Sequence, residues 1–147
     1  MTEISIRKMA EKDLEQVVNI EKQVFPDPWS YQAFKSDLEN DLAYMIVAEK
    51  ENAVAGYSCL YILLGEVQLG NIAVAPDTRR QGVARAMMSE IIKVGGERNC
   101  DSIFLEVRES NATARQLYLS FGFRVVGRRV GYYRQPNENA VLMVKEL

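Results

Sequence analysis

The chain has no histidine, two cysteines, one tryptophan and four prolines among its 147 residues. The missing histidines remove the imidazole on which Ser-His-Asp triads, thiol-histidine dyads and most zinc sites depend. Cys59 and Cys100 lie far apart and follow no CxxC spacing. They read as two buried reduced thiols, and no metal is expected. No apolar run approaches the roughly eighteen residues of a membrane span, and Met1-Thr2-Glu3-Ile4-Ser5-Ile6-Arg7 lacks a basic stretch followed by an apolar one. These features predict a cytoplasmic protein without membrane association, for which the sequon Asn111-Ala112-Thr113 has no meaning. An excess of one charge sign is also absent. The 18 basic and 20 acidic residues give a formal charge of −2, so no direct nucleic-acid binding is expected.

What is present is a chain with 48% hydrophobic residues, enough to bury one core, and a single domain spanning 1–147 is expected. Ile4 and Ile6 alternate with polar residues as in a short strand. Leu14, Val17, Val18, Glu21 and Phe25 form a helical stripe ended by Pro26-Asp27-Pro28, and Ser30 caps a second helix from Tyr31 to Leu38. Strands are expected over Leu42 to Ala48, Val54 to Leu64 and Glu66 to Val74, with a hairpin at Gly65. A helix follows on the face Ala84, Met87, Met88, Ile91 and Gly95. A strand from Ser102 to Val107 comes next, then a helix carrying Ala114, Leu117, Tyr118 and Phe121, with Gly122 as its C′ residue. Strands Phe123 to Arg129 and Val141 to Lys145 bracket a polar loop, Gln135-Pro136-Asn137-Glu138-Asn139. The order β-α-α-β-β-β-α-β-α-β-β describes a mixed-sheet α/β (α+β) domain.

The run Arg79-Arg80-Gln81-Gly82-Val83-Ala84-Arg85 falls where a strand hands over to a helix. The first N–H groups of a helix have no internal partner and the dipole is positive there, so this turn can hold a phosphate or pyrophosphate. Gly82 and Ala84 let a ligand approach the backbone, although local composition alone equally fits a solvated helix start. In Ile103-Phe104-Leu105-Glu106-Val107-Arg108 the odd positions are apolar and face the core, so Glu106 points to the other face of the sheet. A carboxylate in mid-strand is depleted on propensity and invites a reason, the plain one being an ion pair with a neighbouring arginine. Tyr118 lies on an apolar stripe, where a tyrosine is ordinarily core.

Three features resemble the GCN5-related N-acetyltransferases: Arg-x-x-Gly-x-Ala at 79–84, Leu105-Glu106-Val107-Arg108 followed by Ser110-Asn111, and Leu117-Tyr118 leading to Gly122-Phe123. Within that superfamily the chain is most similar to the RimI-type ribosomal-protein-alanine N-acetyltransferases. Asn71-Ile72-Ala73-Val74, Pro28-Trp29-Ser30 and Tyr132-Tyr133 extend the likeness over nearly the whole sequence, and archaeal and eukaryotic Nα-acetyltransferases share much of the same core. The resemblance implies the acyl-CoA N-acyltransferase fold of that superfamily and acetyl-CoA as cosubstrate. It implies backbone contacts from Ile72, Ala73 and Val74 to the acetyl and pantetheine portion, and a pyrophosphate turn of Arg80, Gln81, Gly82, Val83, Ala84 and Arg85. Asn111 would bind coenzyme A, Glu106 would be the general base and Tyr118 the general acid. The implied acceptor is a protein N-terminus, that of small-subunit ribosomal protein eighteen, which begins with alanine.

The chemistry agrees with these roles. Acetyl transfer needs a neutral amine, a stabilised carbonyl oxygen and a protonated leaving thiolate, with no metal. An α-amino group with a pKa near 8 is already partly neutral at pH 7, so Glu106 need only accept a proton directly or through water. A backbone N–H of Ile72 or Val74, freed where the strand bulges, would stabilise the developing oxyanion. Trp29 and the loop from Tyr132 to Asn139, with Tyr132 and Tyr133, flank the expected amine entrance, although Trp29 also suits a loop anchor. Glu66, Glu109 and Glu138 are carboxylates able to steer a basic tail. Competing readings are acetylation of broader peptide N-termini or of a small amine, and a non-catalytic acyl-CoA sensor.

Overall fold

In a computed structural model, residues 3–134 and 136–147 are described, and they form seven strands and four helices. The order is β1 (Ser5–Lys8), α1 (Leu14–Val24), α2 (Tyr31–Leu38), β2 (Ala43–Lys50), β3 (Ala53–Leu63), β4 (Glu66–Val74), α3 (Val83–Glu97), β5 (Ser102–Arg108), α4 (Ala112–Ser120), β6 (Arg124–Arg134) and β7 (Asn137–Glu146). This is the order the sequence periodicities predict. One mixed sheet runs β1-β2-β3-β4-β5-β7-β6. Its β4–β5 pair is parallel and its other neighbours are antiparallel. The expected Ser30 cap is present, its Oγ accepting from the Ala33 N–H at 3.1 Å. Gly122 takes the left-handed conformation that ends α4.

The polar loop expected over Tyr132 to Asn139 is instead paired strand. β6 and β7 extend past it, with Tyr133 opposite Glu138 and Arg134 opposite Asn137. Pro136 sits at the turn, and Gln135 lies outside the described residues. The hairpin hides from a pattern search because β6 is exposed along most of its length, so no alternation marks it. Between Arg129 and Tyr133 the register slips by a bulge, and Gly131 takes a positive φ there.

Apolar side chains fill both faces of the sheet. Val83, Met87, Met88 and Ile91 of α3 pack with Tyr118 of α4 against Val67, Leu69, Ile103, Leu105 and Val107. Leu14, Val17 and Ile20 of α1 and Phe34 of α2 pack on the opposite face, with Val47, Tyr57, Cys59 and Ala73. Cys59 and Cys100 are both buried and free, as expected.

The feature that positions the site is a bulge at Gly70. Cys59 pairs with Asn71 but the next residue, Leu60, pairs with Leu69, leaving Gly70 as the extra residue. A Cβ on Gly70 would lie 2.7 Å from the Tyr61 ring, so the close approach requires glycine. The extra residue inverts the facing of β4. Leu69 belongs to the α3 face, whereas beyond the bulge Ile72 and Val74 face α3 and Ala73 faces α1. The parallel ladder between β4 and β5 ends at Leu69 opposite Leu105. From there β4 keeps only its β3 partner, and β5 pairs through Glu106, Val107 and Arg108 with β7.

Candidate active site

The two strands therefore part, and an opening forms between Asn71–Val74 on one side and Glu106–Arg108 on the other. The Ala75 N–H donates to the Ala55 carbonyl at 2.8 Å. Amide direction alternates along a strand, so the Ala73 N–H also points to β3 while those of Ile72 and Val74 point into the opening. These are the two amides that sequence reasoning singled out.

At the mouth of the opening lies the basic turn. Arg80 and Gly82 both adopt left-handed conformations, at φ 64 and 85. Gly82 is the N-cap of α3 and no side chain caps the helix. The first helical bond runs from the Ala86 N–H to the Gly82 carbonyl at 3.0 Å. The N–H groups of Val83, Ala84 and Arg85 therefore have no intrahelical partner. A Cβ on Gly82 would meet nothing within 4 Å, so the backbone is open to a ligand. Gln81 Oε1 accepts from Lys50 Nζ, which adds a cation to the rim. Arg85 is partly engaged, its Nη1 donating to Ser120 Oγ at 3.2 Å and its guanidinium stacking 4.8 Å from the Phe121 ring centre. The donor set and the bare backbone suit a diphosphate.

Glu106 faces away from Ile103, Leu105 and Val107, as its strand parity predicts. Its carboxylate is largely sheltered, and Oε2 is buried without a hydrogen-bond partner. The nearest cation is the Arg129 Nε at 3.9 Å, too long for a strong bond. A partly desolvated carboxylate with a spare oxygen can accept a proton. Tyr132 and Tyr133 meet edge to face at 5.0 Å, and Glu106 acts on both. Burial, then the Glu106 charge, raises the Tyr132 phenol and pushes that of Tyr133 up to about 12. Both tyrosines lie at the register shift between Arg129 and Tyr133 in β6, which the sequence pattern did not reveal.

Tyr118 approaches from the α3/α4 face, packed on Phe123 at 5.7 Å. Burial, with a smaller contribution from Tyr133, raises its phenol well above the ordinary tyrosine range, so it stays protonated at any physiological pH. Asn111 caps α4, its Oδ1 accepting from the Ala114 N–H at 3.1 Å, which gives it a structural task beside the one the resemblance implies. Trp29 packs on Phe34 at 5.5 Å. With Ala33, Ser36, Asp37 and Tyr61 it also lines an open cavity of about 360 Å³.

The steering carboxylates fare differently. Glu109 pairs with Arg128 at 3.3 Å and accepts from Asn139 Nδ2 at 3.0 Å. Glu138 pairs with Arg108 at 3.3 Å, and Arg108 lies 4.3 Å from the Tyr133 ring centre, so these charges brace the hairpin. Glu66 pairs opposite Ser102, at the closed end of the β4–β5 pair. Sequence reasoning also passed over Glu21, a buried carboxylate on the inner face of α1. A charged residue on an apolar stripe was the available signal.

A split parallel pair, an open helix N-terminus and a sheltered carboxylate thus meet along one opening in the sheet. The chain belongs to the Acetyltransferase (GNAT) family, which it matches over residues 14–123. It is 34% identical over 142 residues to the ribosomal protein bS18-alanine N-acetyltransferase of Escherichia coli, covering 95% of each chain. The crystal structure of the ribosomal-protein-S18-alanine N-acetyltransferase from Escherichia coli superposes with a TM-score of 0.91 at 32% identity, over 98% of this chain and 94% of that one. Ard1 from Thermoplasma volcanium shares the fold, with a TM-score of 0.90 at 24% identity over 98% of this chain and 97% of its own. Among the described residues no helix is long and apolar enough to cross a membrane.

Proposed function

We propose that this chain transfers the acetyl group of acetyl-CoA to the N-terminal α-amine of a protein in the cytoplasm, and that its acceptor is the N-terminal alanine of ribosomal protein bS18. The observation that carries the reading is the opening between β4 and β5, which has outward amides on one wall and a sheltered carboxylate on the other. The near full-length similarity to the Escherichia coli bS18-alanine enzyme supports the acceptor.

In this reading the diphosphate of acetyl-CoA docks on the amides of Val83, Ala84 and Arg85, and Arg80 and Gln81 line the same turn. Asn111 offers its side-chain amide to the coenzyme. Ile72 and Val74 hold the pantetheine arm and the thioester carbonyl, and one of their amides stabilises the oxyanion as the amine attacks. Glu106 takes the proton of the amine, directly or through water. Tyr118 supplies a proton to the departing thiolate. Trp29, Tyr132 and Tyr133 frame the acceptor. Intact-mass comparison of ribosomal proteins from a strain lacking this chain and from its parent tests the reading. Loss of one acetyl group from bS18 supports it, and an unchanged bS18 mass contradicts it.

A further inference from the structure

Glu21 is 2% exposed, and its partners are three neutral donors. Oε1 accepts from the Tyr57 hydroxyl and from Asn71 Nδ2 at 2.9 Å, and Oε2 accepts from the Trp29 backbone N–H at 3.0 Å. Burying a carboxylate is costly unless its lone pairs are satisfied, and a leucine in its place would pack α1 at no such cost. What the carboxylate adds is therefore the attachment of its partners. They come from different parts of the site. Trp29 lies at the α2 end of the segment between α1 and α2, on the acceptor side. Asn71 adjoins the Gly70 bulge and immediately precedes Ile72. Its own carbonyl accepts from Ser58 Oγ at 2.7 Å, so Asn71 is held through both side chain and backbone. That double hold fixes the peptide plane that aims the Ile72 N–H into the opening.

We propose that Glu21 is a positioning residue that couples the acceptor side of the site to its cofactor side, one carboxylate oxygen holding the Trp29 loop and the other the Asn71 strand. The inference rests on the acetyl-transfer reading and adds a residue outside the chemistry to it. Displacement of either segment leaves the buried carboxylate short of a donor, so the two segments settle together and order at one substrate site favours order at the other.

The test compares wild type, Glu21→Gln and Asn71→Ala. Calorimetric titration with coenzyme A and steady-state KM for an alanine-terminated peptide are measured, with thermal melts to confirm folding. Glutamine keeps the shape but offers one acceptor oxygen where three donors converge. Glu21→Gln is expected to weaken coenzyme A binding and to raise the peptide KM, each by roughly tenfold. Asn71→Ala cuts the cofactor arm directly and is expected to weaken coenzyme A binding, with a rise in the peptide KM smaller than that of Glu21→Gln. A purely structural carboxylate would lower the melting temperature of Glu21→Gln and leave both constants unchanged, which overturns the proposal. If Glu21→Gln does not fold, Asn71→Ala decides, since an unaltered coenzyme A affinity overturns the proposal. A wild type that fails to acetylate the peptide removes the acetyl-transfer reading instead. The coenzyme A titrations then still decide for or against the hold on the cofactor strand.

Discussion

Leu69 on β4 and Leu105 on β5 form the last parallel pair between two strands that separate beyond them. Gly70 follows Leu69 as the bulged residue, and Glu106 follows Leu105 as the carboxylate of the opening. One extra residue in β4 thus breaks the ladder, inverts the facing of Ile72 and Val74 and frees their amides.

Gly82→Glu is expected to abolish coenzyme A binding in a folded protein. The new side chain has room, and a non-glycine residue at this positive φ costs about 1–2 kcal/mol. Its carboxylate would occupy the positive end of α3, where the proposed reading docks the diphosphate. Calorimetry on the folded variant checks this. An unchanged affinity would remove the coenzyme from that turn.

Replacement of Glu106 by glutamine removes the proposed proton acceptor and keeps the shape. Base loss typically costs on the order of 10²–10⁴-fold in rate. An α-amine with a pKa near 8 is mostly protonated at pH 6 and mostly neutral at pH 9, so the deficit is expected to be largest at low pH and to narrow as pH rises. A kcat/KM profile from pH 6 to 9 measures it. A deficit independent of pH would assign Glu106 to positioning.

Tyr118→Phe keeps the ring that packs on Phe123, so coenzyme A affinity and stability should stay close to wild type. Because the buried phenol holds its proton tightly, and a thiolate with a pKa of about 8.5 leaves tolerably well unaided, the rate loss is expected at the low end, about 10²-fold. A thioester with a more acidic leaving thiol should narrow the deficit. Equal deficits with both donors would mean that the hydroxyl only orients the coenzyme.

The order of elements was legible because apolar spacing switches cleanly between periods of two and 3.6, and the facing of Glu106 was legible from strand parity, while the role of general base came only from the family resemblance. The β6–β7 extension was not, since Gly131, Pro136 and Asn137 read as loop where backbone pairing continues across an exposed ribbon. Glu21 carried a local signal, a charge on an apolar stripe. Its meaning lay in Tyr57 and Asn71, 36 and 50 residues away, beyond the reach of any pattern along the chain.

Acid stability follows from another buried carboxylate. Asp13 accepts two bonds from Arg7, both at 2.8 Å, and one from the Ala10 N–H at 2.8 Å. The Arg7 hydrogen bonds hold its pKa below the ordinary aspartate value. A depressed folded pKa gives stability that is present above the unfolded pKa of about 3.9 and is lost as pH falls through the folded value. Urea midpoints should therefore drop below about pH 4 in wild type, and this part of the drop should disappear in Asp13→Asn, which starts less stable at pH 7. The same acid-induced drop in both proteins would place the loss elsewhere.

The most direct measurement is mass spectrometry of a peptide that begins with alanine and carries an internal lysine, incubated with acetyl-CoA and the purified chain. One acetyl group on the α-amine, with the lysine unmodified and free coenzyme A released in equal amount, is the predicted result. An unmodified peptide, or acetyl found on the lysine, would contradict the account.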